Sequence, residues 1–273
     1  LFYNIFYIFE VMKKHKKYIF TLFIIIISSI SCKNSYKLTD TSSNNKAVSE
    51  NLSTYTFSEV DLKLFRDSLQ STMNEVLNTS NTFMDVASPE GKLGNFICDL
   101  SLSVIRKDFI GDLNSNEKIF CILNNGGLRT SLPKGDVTRG KIYEIMPFDN
   151  ELVIVKISED KMQELFLYIL NKSIIKDSRK AGVPVSGLRM LINNNKIGNI
   201  FIGIKQYNKK YTYSILTTDY LARGGDGMDF FKDAIDIKQT GLLLRDVIID
   251  YIINLKKQNI NIDASLDGRI YAK

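Results

Sequence analysis

Apolar residues recur at helical spacing in four stretches of the chain, with short extended runs between them. Ser58 has the chemistry of a helix N-cap, and Leu62, Phe65, Leu69, Met73 and Val76 follow it three or four residues apart. Residues 93–105 predict a second helix, with Phe96, Ile97, Leu100 and Val104 on one face. Ser158 predicts the cap of a third, whose stripe is Met162, Leu165, Phe166, Ile169 and Leu170. A last helix is expected over 242–255, striped by Leu243, Val247, Ile248, Tyr251 and Leu255. The unbroken apolar runs 119–123 and 152–157 predict buried strands. Three further extended segments, 183–192, 200–207 and 211–217, are separated by the turn-forming Asn193-Asn194-Asn195 and Asn208-Lys209-Lys210. They are expected to form antiparallel hairpins, and 267–271 a short terminal strand. Helices and strands alternate without a regular βαβ repeat, so the pattern predicts an α+β domain over residues 54–273.

The N-terminal pattern is different. Lys13, Lys14, His15, Lys16 and Lys17 precede an apolar run over 18–27, then Ser28-Ser29-Ile30-Ser31-Cys32. A basic segment, a short apolar segment and small residues before a cysteine predict an export signal over 1–31, with Met12 as a possible start. Cys32 is then the expected lipidation site, and the protein an exported lipoprotein of the periplasm or cell surface. An uncleaved anchor or a plain secretory signal are the alternatives. Residues 32–53, rich in Ser, Asn, Thr and Lys, read as a flexible tether to the membrane.

Composition narrows the chemistry. The net charge is +6, and Lys13, Lys14, Lys16 and Lys17 against Glu10 supply half of it, too little elsewhere to argue for nucleic acid. The only histidine, His15, lies in the expected signal. A mature chain without histidine excludes histidine acid/base catalysis and histidine metal ligation. Cys98 and Cys121 sit in apolar runs and read as buried core thiols.

Two glycine-rich loops and one aromatic turn carry the candidate chemistry. Residues 119–123 break into Asn124-Asn125-Gly126-Gly127 and then Arg129; Met146-Pro147-Phe148-Asp149-Asn150 precedes the next strand; Tyr220 leads into Arg223-Gly224-Gly225-Asp226-Gly227. Asn and Gly supply backbone with positive φ, and a glycine lets a backbone approach a ligand. Neither loop is a phosphate-binding P-loop or a dinucleotide fingerprint. Singly, each reads as a tight strand-end turn. Together they suit an anion attached to a flat ring.

In order along the chain, LGNFICD, LNNGGLR, MPFDN, VSGLR, LTTDYLARGGDG and DGRI resemble the C-terminal domain of the bacterial and animal 5′-nucleotidases. That family also contains periplasmic UDP-sugar hydrolases and 2′,3′-cyclic-nucleotide phosphodiesterases. The resemblance spans roughly residues 58–272. It implies a layered α/β/β/α fold with mixed sheets, in a domain that holds the nucleoside part of a substrate. Phe148 and Tyr220 match the rings that sandwich the base, Asn124 the asparagine on the base, and Arg129 the arginine on the phosphate. Asp226 matches the ribose-binding aspartate, and Gly126, Gly127 and Gly225 are expected to be substrate-binding with it. Members of the family usually carry a second phosphate-binding arginine just before the LGN segment; residues 87–95 have none, and Lys92 is the cation there. The resemblance also implies that hydrolysis belongs to a metallophosphoesterase domain with two metal ions. The chain alone is therefore expected to be inactive, with no catalytic residue, cofactor or metal of its own. Divalent metals are expected in a separately encoded metallophosphoesterase partner, this chain being the nucleotide-binding half of a split 5′-nucleotidase. The alternative is a non-catalytic lipoprotein that binds nucleosides or nucleotides.

Overall fold

The computed structural model describes residues 59–109, 118–175 and 178–272, all within the compact unit Phe57–Lys273. The expected signal (1–31), Cys32, the tether (32–53) and the Ser58 cap lie outside the described residues. In order, the first elements are α1 (Glu59–Met73), β1 (Val76–Ser80), α2 (Lys92–Phe109), β2 (Ile119–Ile122), β3 (Gly135–Thr138) and α3 (Arg139–Ile145). Then come β4 (Glu151–Lys156), α4 (Glu159–Ser173), β5 (Val185–Ser186), β6 (Leu188–Asn193), β7 (Lys196–Ile202) and β8 (Lys205–Gln206). The last are β9 (Ser214–Thr218), α5 (Asp219–Ala222), β10 (Asp236–Leu243), α6 (Leu244–Lys257) and β11 (Ile270–Ala272).

A five-stranded sheet, β10-β4-β9-β2-β5, is the centre of the domain. Its strands are mixed in direction: β2 runs parallel to β9, and the other neighbours are antiparallel. Alternate residues feed two cores. Cys121, Leu152, Ile154 and Leu216 join α2, α3 and α6 on one face. Phe120, Ile122, Val153, Val155 and Ile215 join α4 and the four-stranded sheet β11-β6-β7-β8 on the other. Burial on both faces explains why 119–123 and 152–157 read as unbroken apolar runs. The predicted α+β class with mixed sheets is the architecture found. Cys98 and Cys121 are free buried thiols; burial, then the hydrogen bond with Cys121, pushes the Cys98 thiol well above its ordinary value.

The helices over 93–105, after Ser158 and over 242–255 all form, within a few residues of the predicted bounds. Ser158 Oγ accepts from the Lys161 N–H at 3.5 Å, and Glu159 and Asp160 place negative charge on the first turn of α4. The first helix forms too, but Leu62, Phe65 and Leu69 are 53%, 71% and 60% exposed, so this stripe is not a core face among the described residues. Val76 has already left the helix for β1.

The hairpin expectation requires correction in two places. Residues 183–192 are two strands, because Gly187 at φ +72 breaks the run and sends β5 and β6 into different sheets. Asn194 and Asn195, at φ 49 and 57, do form the β6–β7 hairpin turn. Residues 211–217, however, supply β9, which leaves that sheet for the centre of the five-stranded one. Its Ile215, Leu216 and Thr217 are wholly buried, and burial on both faces outweighs pairing with the sequence neighbour. The pattern gave no sign of β1, β3, α3 or β10. The last is an edge strand of polar character, with Asp236 and Gln239 exposed, which suits an edge and hides it from periodicity.

The LGNFICD and DGRI segments are tied to each other. Arg269 takes Asp99 in a two-pronged grip (2.8 and 3.1 Å), bonds Asp267 at 2.9 and 3.0 Å, and donates to the Val185 carbonyl at 2.9 Å. Asn95 Nδ2 donates to Glu90 Oε1 (2.6 Å) and the Ser265 carbonyl (2.9 Å), closing the same seam. Burial alone would raise the Asp267 carboxyl, yet the bonds and charge of Arg269 hold it below its ordinary value.

Removing this guanidinium strands the Val185 carbonyl and two carboxylates. Arg269→Met is expected to lower the unfolding free energy by about 2 to 3 kcal/mol, less than for a fully buried pair because Asp99 and Asp267 are partly wet. Urea unfolding at neutral pH checks this. The depressed Asp267 value means that its contribution is present above the unfolded carboxylate range, about pH 4, and is lost as pH falls through the lower folded value. The gap between wild type and Arg269→Met should therefore narrow on acidification.

Candidate functional site

Strand direction brings three loops to one edge of the central sheet. β2 and β9 are parallel neighbours, pairing Phe120 with Ile215 and Cys121 with Leu216, so the chain leaves both strands at the same end. β4 is antiparallel to β9, with Leu152 opposite Thr218, so the segment entering β4 arrives at that end too. The loops after β2, before β4 and after β9 are thus neighbours, although the first and last lie far apart in sequence.

After β2 the Leu123 N–H bonds the Pro184 carbonyl at 3.0 Å. Asn124 is extended and starts a 3-10 turn, Asn125–Gly127. The two asparagines separate here. Asn125 is buried and spends its amide on the carbonyls of Ala181 (2.5 Å) and Ala87 (3.2 Å), a structural role. Asn124 points across to the third loop. A Cβ on Gly126 would lie 2.8 Å from Asp226 Oδ2, and one on Gly127 2.9 Å from Asn124 Oδ1. These glycines serve close approach, whereas Gly224 (φ +90), Asp226 (φ +52) and Gly227 (φ +81) in the third loop need left-handed backbone. Arg129 is exposed; its backbone is held by the Ile145 carbonyl at 2.9 Å, and Nη1 donates to the Gly126 carbonyl at 3.2 Å.

Phe148 is held by its neighbours. Asp149 is ion-paired with the buried Arg245, whose guanidinium lies 4.3 Å from the centre of the Tyr143 ring. The Asn150 carbonyl accepts from Leu244 N at 2.9 Å. Phe148 stays 42% exposed and Tyr220 46% exposed, although both side chains are large and largely apolar. Tyr220 sits on α5, capped by Thr218 Oγ1, which accepts from Leu221 N at 3.4 Å.

Asp226 is where the loops meet. Asn124 Nδ2 donates to its Oδ2 at 2.5 Å, the Tyr220 hydroxyl to its Oδ1 at 3.2 Å, and the Tyr168 hydroxyl to its backbone carbonyl at 3.0 Å. The Asp226 N–H donates back to the Tyr220 hydroxyl at 3.3 Å. Burial, then the charges of Asp226 and Tyr220, pushes the Tyr168 hydroxyl up to about 12.

Asn124, Gly126, Gly127, Arg129, Phe148, Tyr220 and Asp226 line one cavity of about 250 Å³, together with Asn150 and Lys180. Gly225 does not line it; it lies under the Tyr220 ring, where an added Cβ would come within 2.4 Å. Asn150 closes the MPFDN segment, where the resemblance implies no role for it. Lys180 stands in no motif of the sequence; it arrives from a separate loop fastened by the Asn125 bond to Ala181. Lys92 instead donates to Thr82 Oγ1 at 3.1 Å and is not among the lining residues. A second cavity of about 240 Å³ shares Asn124, Lys180 and Asp226 and adds Tyr168 and Lys172. Among the described residues no group of three or more His, Cys, Asp or Glu side chains is placed to hold a metal ion. The arrangement offers stacking faces, two cations and one oriented carboxylate, which is equipment for holding a flat, anionic, hydroxyl-bearing molecule.

A family model described as "5'-nucleotidase, C-terminal domain" matches residues 71–233. The chain is 26% identical over 225 residues to the trifunctional nucleotide phosphoesterase protein YfkN of Bacillus subtilis, covering 77% of this chain and 15% of that protein. It is 26% identical over 205 residues to a 5'-nucleotidase of Vibrio parahaemolyticus, covering 73% of this chain and 34% of that protein. Among solved structures, the 5'-nucleotidase precursor from Thermus thermophilus superposes with a TM-score of 0.63 at 26% identity, over 78% of this chain and 42% of that one. The chain thus spans less than half the length of each of these proteins.

The raised Tyr168 value carries a stability consequence with a definite sign. A folded value of about 12 against an ordinary 10 means the native state keeps a proton that the unfolded state releases, so stability falls as pH rises from 10 towards 12. Tyr168→Phe should cost about 1 kcal/mol at neutral pH, for the lost bond to Asp226, and should flatten this alkaline decline. Denaturant midpoints measured across that pH range check both.

Proposed function

Because the chain belongs to the 5′-nucleotidase C-terminal domain family, we propose that it is the nucleotide-holding half of a split 5′-nucleotidase, working with a separately encoded metallophosphoesterase. The observation that carries the reading is the Asp226 carboxylate, held by Asn124 and Tyr220 in a cavity that also contains the Phe148 ring and the Arg129 guanidinium. A base stacks on Phe148 and Tyr220, a sequence-tolerant contact worth about 1 to 3 kcal/mol per base. Asn124 meets the base edge while holding the carboxylate, Asp226 accepts from the sugar hydroxyls, and Arg129 grips the phosphate.

Phosphate hydrolysis in this reading takes place on the partner. Two divalent ions there would clamp the phosphoryl oxygens and supply the attacking hydroxide. The described residues of this chain do not fit such a centre: they contain no histidine and no suitable cluster of acidic or thiol ligands. Cys32, lipidated, anchors the exported chain to a membrane at the periplasm or cell surface, with residues 32–53 as its tether.

A non-catalytic nucleoside- or nucleotide-binding lipoprotein is the second reading, and the segment 87–95 favours it. That segment brings no arginine to the cavity, and its Lys92 is engaged with Thr82.

Calorimetric titration of the exported chain with AMP and adenosine separates these readings. Phe148→Ala is expected to weaken both ligands about 5- to 150-fold, the equivalent of the stacking energy. Arg129→Met is expected to weaken AMP and spare adenosine. Equal wild-type affinity for AMP and adenosine favours the non-catalytic reading, and AMP turnover by the purified chain with metal added rules out the split one. Co-purification with a metal-bearing phosphoesterase is the result expected of a split enzyme. A Cys32→Ser variant is expected to move from the membrane fraction to the soluble exported fraction.

A further inference from the structure

The Tyr220 hydroxyl has work that a stacking ring does not require. We propose that it is a latch that fixes the Asp226 carboxylate for a vicinal diol, making Tyr220 a positioning residue for sugar discrimination as well as a stacking surface. The inference rests on the nucleotide reading above and concerns the same cavity.

Asp226 stands in a loop that gives its side chain little help. Its own φ is +52, and Gly224 and Gly227 beside it are at +90 and +81, so no regular helix or strand orients it. A carboxylate turns readily about its terminal torsion, whose preferences are broad. Here each oxygen has one protein donor: Asn124 Nδ2 on Oδ2 at 2.5 Å and the Tyr220 hydroxyl on Oδ1 at 3.2 Å. An ionised carboxylate has about four acceptor positions, so each oxygen keeps capacity for one more donor. Two oxygens held at set positions match two neighbouring hydroxyls of one sugar ring. With Oδ1 released, the same carboxylate turns, and the second hydroxyl loses its partner.

The latch also sets the register between stacking and sugar recognition. The Tyr220 ring rests on Gly225, where a Cβ would lie 2.4 to 2.6 Å from ring atoms. Its hydroxyl in turn accepts from the Asp226 N–H at 3.3 Å. The Tyr168 hydroxyl holds the Asp226 carbonyl from the other side at 3.0 Å. The stacking face and the carboxylate therefore move as one unit. A phenylalanine in this place would offer the same face and leave Oδ1 unheld.

The test is the affinity ratio of AMP to 2′-deoxy-AMP, measured by calorimetry for wild type, Tyr220→Phe and Phe148→Ala, with folding checked by thermal unfolding. Wild type is expected to prefer AMP by about tenfold, the scale of one hydrogen bond to a charged group. Tyr220→Phe is expected to reduce that ratio to about two- or threefold. A merely structural role would weaken both ligands alike and leave the ratio unchanged, which overturns the latch. A wild-type ratio near one overturns it, as does a gain in AMP affinity on Tyr220→Phe, since the hydroxyl would then be an obstruction. The two levels of the argument separate cleanly. AMP binding that Phe148→Ala weakens, with a ratio indifferent to Tyr220→Phe, removes the latch and leaves the nucleotide reading standing. No binding of either nucleotide by wild type removes both.

Discussion

Parallel pairing of β2 with β9 is the constraint on which the rest of the structure depends. Parallel neighbours end at the same edge, so whatever follows them must share that edge. β4, antiparallel to β9, then delivers the Phe148 turn to the same place on its way in. No local interaction in any one loop would achieve this; it follows from strand direction. The pairing is in turn held by burial, because β2, β4 and β9 each send alternate residues into two different cores. A shift of one residue in any of these strands would swap its two faces and displace its loop.

The polar contacts at that edge finish what the sheet begins. Asn124 and Tyr220 converge on the one carboxylate of Asp226, and Arg245 holds the Phe148 turn through Asp149. Two glycine-rich loops of similar appearance do this in different ways. In the first, Gly126 and Gly127 are small so that Asn124 and Asp226 can approach; in the second, Gly224 and Gly227 permit a left-handed path. The same residue type answers a steric demand in one loop and a torsional demand in the other.

The motifs that mark the family divide along physical lines. LNNGGLR, MPFDN and the ARGGDG segment line or shape the cavity. LGNFICD and DGRI form the Arg269–Asp99–Asp267 seam, and none of their residues lines the cavity. A short sequence match to either group therefore reports on different things, lining of the cavity in one case and closure of the domain in the other. The matches to the relatives named above cover less than half of each of those proteins.

The sequence by itself determined the class of fold, the α2, α4 and α6 helices, the buried strands β2 and β4, and the three loops that carry most of the cavity's lining. Those features are local: a 3.6-residue stripe, an unbroken apolar run, a serine cap or a glycine cluster is visible within a few neighbours. Only the tertiary structure decided that β9 leaves its sequence neighbours for the central sheet, that Gly187 divides 183–192, and that the stripe of α1 lies exposed. It also decided that Lys180 and Asn150 join the cavity while Lys92 turns to Thr82. Each of these depends on which strand lies beside which, and pairing is settled by burial between segments far apart in the chain, which no local pattern records.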